Sequence, residues 1–123
     1  MRYMYLVMTS PESAGPPPPR LMEEINKLAA GANQAGTMVG GGGLTPITQA
    51  VRARVKGGKL TVTDGPFAES KEVLGGYAIF ELPSRGAAIQ SMIDFMELHR
   101  VYGEGWEGVC EMREMVGTPP GHG

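Results

Sequence analysis

Residues 2–8 place Tyr3, Tyr5 and Val7 on one parity and Met4, Leu6 and Met8 on the other. As a β-strand, where successive side chains point to opposite sides, this segment is apolar on both faces. The stretch Tyr77–Leu82, YAIFEL, has the same property. Strands of this kind sit in the interior of a sheet whose two faces are both covered. Any fold for this chain must therefore find two covers for one sheet.

Between these strands the period changes. Leu21, Ile25, Leu28, Ala32 and Ala35 recur at three- and four-residue steps with Glu23, Glu24 and Lys27 opposite, which predicts an amphipathic helix closed by Gly36. Thr37–Val39 reads as a short strand running into Gly40–Gly43. Val51, Ala53 and Val55 alternate with Arg52, Arg54 and Lys56; after Gly57-Gly58, Leu60 and Val62 alternate with Thr61 and Thr63. Two such runs joined by two glycines form a β-hairpin. Asp64–Gly76 is read as a loop or a single helical turn. Pro83-Ser84 opens a second helix with Ala88, Ile89, Met92, Ile93 and Met96 on one stripe. Val109–Val116 is the last strand. The break at Thr9–Pro19 ends in Pro16–Pro19, a surface spacer rather than a ligand for a proline-recognition domain, because its flanks lack basic and apolar anchors.

The order strand, helix, strand, hairpin, strand, helix, strand predicts an α+β fold, a ferredoxin-like split βαβ with an inserted β-hairpin. One domain is expected over residues 1–117, with 118–123 a frayed tail. The presence of 19 glycines and 10 prolines among 123 residues means many turns and excludes a helical bundle. Both helices would pack on one sheet face. The economical cover for the other is a second copy, sheet against sheet, so a homodimer is expected.

Eleven basic and 13 acidic residues give a net charge of -2 without a basic block, which argues against nucleic acid. Met1–Met8 is too short for a membrane span and runs into Thr9, Ser10 and Pro11 without a small-residue cleavage site. Cys110 has no second cysteine to pair with. These features predict a cytoplasmic protein without a membrane partner.

Little in the chain announces chemistry. No Lys-Ser/Thr follows Gly40–Gly43 and a strand comes next, so the run marks a bulge or a close backbone approach rather than a phosphate loop. Cys110, His99 and His122 lack metal-ligand spacing, and neither a metal nor a cofactor is expected. Asp64 continues the parity of Leu60 and Val62. Its carboxylate either faces the core side, where desolvation raises its pKa and suits it to proton transfer, or bonds its own turn backbone. His99 lies seven residues after Met92 at the end of the second helix, where the dipole favours an imidazolium, and a structural role is expected. Lys71 is either part of a solvated turn or an anion-binding group beside Arg52 or Arg54.

The run Asp64-Gly65-Pro66-Phe67-Ala68-Glu69-Ser70-Lys71-Glu72, followed by Leu74-Gly75-Gly76, resembles the DGPF branch of the YCII-related family. MRYMYLVM, Gly36–Pro46 and VRARV are similar to the same family. The resemblance implies a ferredoxin-like fold paired into a dimeric α/β barrel. It implies a small bacterial cytoplasmic protein of unsettled function, in a group where some members accompany extracytoplasmic-function sigma factors. Other members of the superfamily are linked to proton transfer by a His–Asp pair whose histidine belongs to the first helix. Leu21–Ala35 contains no histidine, so only Asp64 carries over. The functional expectation is an enzyme or enzyme-like binder of a small cyclic or anionic molecule, with Asp64 as acid or base. Phe67 would wall the pocket, and Lys71, Arg52 or Arg54 would steer the ligand. The alternative is a non-catalytic ligand-binding or regulatory module of a sigma-factor system.

Overall fold

In the computed structural model, which describes residues 1–10, 16–65 and 73–117, β1 (Arg2–Thr9) lies between β5 (Val73–Glu81) and β6 (Gly108–Glu114) and runs antiparallel to both. β2 (Met38–Gly43) pairs with the far side of β5, giving the order β2-β5-β1-β6. Helix α1 (Pro19–Gln34) connects β1 to β2, and α2 (Arg85–Tyr102) connects β5 to β6. Each helix thus joins two strands separated by one strand of the other unit. This interleaving is the α+β arrangement of the ferredoxin-like fold.

Parity decides which side chains meet the helices. Tyr3 and Tyr5 of β1, with Ala78 and Phe80 of β5, pack against Ala88 of α2, and Ala32 of α1 joins the same cluster. Tyr5 stacks on Phe80 with ring centroids 5.0 Å apart, and its hydroxyl donates to the Ala88 carbonyl oxygen at 2.7 Å. The phenol therefore enters the core with its polar end satisfied. Burial also pushes its pKa up.

Several local details refine the pattern reading, and some differ from it. α1 starts at Pro19, before Leu21, because proline at the first helical position forfeits a backbone N–H that has no helical partner in any case. The glycine run is itself strand. A register shift between Met38 and Gly40 leaves a bulge there, and a Cβ on Gly41 would stand 2.9 Å from the Tyr77 carbonyl oxygen. β5 begins at Val73, so Leu74-Gly75-Gly76 is strand rather than loop. Ser84 caps α2, its hydroxyl accepting from the Ala87 N–H at 3.1 Å. Ile93 is 47% exposed and lies off the buried stripe, which instead runs through Ala88, Met92 and His99.

β3 (Val51–Lys56) and β4 (Lys59–Asp64) form a separate two-stranded sheet. Gly57 and Gly58 turn it with φ of +58° and +76°, the left-handed pair that suits a twisted two-residue hairpin. Val51, Val55, Leu60 and Val62 share one face of this ribbon and are 61–74% exposed.

Candidate functional site

The hairpin carries the carboxylate singled out by sequence. Asp64 ends β4 opposite Val51 and shares its face with Ala53, Val55, Leu60 and Val62. The Gly65 N–H donates to the Ala50 carbonyl oxygen at 2.9 Å and closes the hairpin's base. Asp64 is exposed, so a single chain does not supply the burial expected around it. Arg52 stands opposite Thr63 and Arg54 opposite Thr61, which puts both arginines on the other face of the ribbon from Asp64. Phe67 and Lys71 lie outside the described residues, as do the rest of 66–72, the 118–123 tail and His122.

A second surface is the sheet face turned away from the helices. Met4, Leu6, Met8 and Ile79 are half-buried there, and Leu74, Tyr77 and Val109 are 37–47% exposed. Ion pairs flank this apolar strip: Arg2 with Glu81 at 3.7 Å and Arg113 with Glu111 at 3.3 Å. The face is apolar across its middle and charged at its margins.

On the helix-covered side, β6 places Cys110 against the core, where burial pushes the thiol up to about 11. Such a thiol is a poor nucleophile at neutral pH. Among the described residues, no group of three or more His, Cys, Asp or Glu side chains is placed to hold a metal ion. Nor is any described helix long and apolar enough to cross a membrane.

His99 is where the structure changes the chemistry most. It is 6% exposed at the end of α2, and its Nδ1 lies 3.1 Å from the Phe95 carbonyl oxygen. Since a carbonyl only accepts, Nδ1 carries the proton. Burial pushes the imidazole pKa down, outweighing the help of that hydrogen bond, so the ring is neutral rather than the expected imidazolium. The Phe95 ring meets it edge-on at 4.8 Å, and the Trp106 ring lies tilted at 4.7 Å. Sequence reading missed Trp106. The available signal was the spacing His99–Gly103–Gly105–Trp106, a tight turn that brings an aromatic ring back over the helix end.

The family model for the YCII-related domain matches residues 1–95. The chain belongs to the YCII-related family. The match takes in β1 through most of α2, and in this YCII-related chain β6 completes the sheet beyond it. No curated protein matches the sequence.

Proposed function

We propose that this YCII-related chain belongs to the DGPF branch and acts as a cytoplasmic homodimer, its two sheets facing each other as a dimeric α/β barrel. The dimer binds a small cyclic or anionic molecule on which Asp64 performs proton transfer. One observation carries this reading: the apolar strip of Met4, Leu6, Met8 and Ile79 lies on the side of the sheet away from both helices. A second copy laid against it removes that strip from water and encloses a cavity between sheets. The exposed apolar face of the hairpin, with Asp64 at its end, gains its cover from the same association. Once desolvated, the Asp64 carboxylate takes a proton from an acidic C–H or O–H of the ligand and returns it to another ligand atom. Phe67 walls the cavity and Lys71 matches a negative charge. Arg52 and Arg54, on the ribbon's other face, steer an anion rather than touch it.

The exposure of Asp64 in the single chain, and the Gly65–Ala50 bond beside it, favour the second reading: a non-catalytic ligand-binding or regulatory module of a sigma-factor system, with Asp64-Gly65 as hairpin closure. Sedimentation at micromolar concentration is expected to give a dimer, and a clean 13.1 kDa monomer overturns the barrel. Screening against cyclic enols, lactones and phenols with Asp64→Asn alongside then separates the two readings. Turnover that disappears in the variant supports proton transfer by Asp64. Ligand binding without turnover, unchanged in the variant, supports the regulatory module.

A further inference from the structure

The end of α2 and the start of β6 enclose an open groove of about 330 Å³ lined by Met96, His99, Arg100, Trp106, Glu107 and Gly108. It belongs to the helix-covered side and shares no residue with the site proposed above. Its walls are built. The turn after α2 holds Glu104 at φ +53°, a left-handed conformation that a non-glycine residue adopts at a cost. A Cβ on Gly103 would overlap the His99 carbonyl and Trp106, and one on Gly108 would overlap the Trp106 ring and the Met8 carbonyl. Both positions must therefore be glycine for the indole to lie where it does. The Thr9 hydroxyl donates to the Glu107 carbonyl oxygen at 2.8 Å and ties this wall to β1.

Inside that frame the imidazole is committed on one nitrogen only. Nδ1–H is spent on Phe95. Nε2 has no hydrogen-bond partner among the described residues and is not a sealed unsatisfied atom, and the ring it belongs to lines the groove. In the Nδ1–H tautomer, Nε2 presents a lone pair that no described residue fills and that a ligand donor can take. The groove's charge leans negative. Arg100 is held by two bonds to Glu97, at 2.7 and 2.8 Å, and Glu107 adds a carboxylate to the rim. An anionic ligand gains little here. A planar ring, however, finds the Trp106 indole and the Met96 side chain among the lining residues. The volume is at the small end for a ligand site, enough for one or two fused rings.

We propose that this groove binds a small neutral aromatic molecule of the phenol class, its hydroxyl donating to His99 Nε2 and its ring lying against Trp106 and Met96. The chain has one tryptophan, so Trp106 fluorescence reports on this groove alone, and the His99 imidazole resonance provides a second local readout. The probes are phenol, anisole, which has the same ring without the donor, and benzoate, which is anionic. Phenol is expected to saturate both signals in the millimolar range, with anisole and benzoate each weaker by about five- to tenfold, the worth of one neutral hydrogen bond or of an unmatched charge. His99→Phe, which keeps a ring but removes the acceptor, should bring phenol down to the level of anisole. Equal binding of phenol and anisole to the wild-type protein overturns the proposal, as does the absence of saturation with phenol. The anisole comparison needs no variant, so the test stands even if His99→Phe folds poorly.

Discussion

On β1, Tyr3 and Tyr5 lie under the helices with 1% and 0% of their surface exposed, whereas Met4, Leu6 and Met8 on the opposite face are only half-buried. The two sets are comparable in apolar size and alternate along one strand. Their different environments come from the connections: both crossovers place their helices on the same side, so one face is covered by the chain itself and the other is left to an external cover. Apolar pattern reports that a face wants burial. It does not report what provides it.

The comparison is most easily broken on the covered side. Tyr5→Ala removes a fully buried ring and the bond to Ala88, and is expected to cost about 3–5 kcal/mol, read as a shift of the urea midpoint. A loss below about 1 kcal/mol would mean that the helices do not clamp this face. A smaller effect comes from acid. The folded-state pKa of His99 is depressed by burial, so the unfolded chain takes up a proton that the folded one resists. Stability should be fully present above about pH 6.5 and fall as the pH drops below it. His99→Phe should flatten that segment of the profile. Stability that rises on acidification would restore the imidazolium and refute the buried neutral ring. The smallest effect is on the open face. At concentrations too low for association, Leu6→Thr should change stability by about 0.5 kcal/mol or less, while at higher concentration it weakens the dimer seen by sedimentation. If Leu6→Thr proves as costly as Tyr5→Ala in the dilute chain, the two faces are not different in kind.

Much of this was legible from period alone. Tyr3, Tyr5 and Val7, the Gly57-Gly58 turn and the Ser84 cap announce their elements because each depends on neighbours close in sequence. What escaped depends on contacts between elements. Gly75 and Gly76 look like loop until β5 pairs with its neighbours, and the run at 40–43, legible as a bulge or a close approach, is itself strand, with no room for a side chain at Gly41. Ile93 fits a helical stripe when only α2 is considered, and lies off it once the sheet fixes which arc is inside. His99 was legible as a stripe residue, but its charge state was not. The helix end alone favours a cation, and burial, with Phe95 and Trp106 packed against the ring, pushes the pKa the other way. For Asp64, parity identified the right set of neighbours, Leu60 and Val62, yet that face is bare in the single chain.

The β3–β4 ribbon has a further consequence in time rather than in space. A two-stranded hairpin without a covering layer is marginal in water, so its ladder should open and close on its own, far more often than the four-stranded sheet unfolds. Its amide hydrogens would then exchange with solvent quickly in dilute protein and slowly wherever something rests on Val51, Val55, Leu60 and Val62. The lifetime of those few hydrogen bonds becomes a gauge of occupancy, since whatever binds that face also has to hold the ribbon shut.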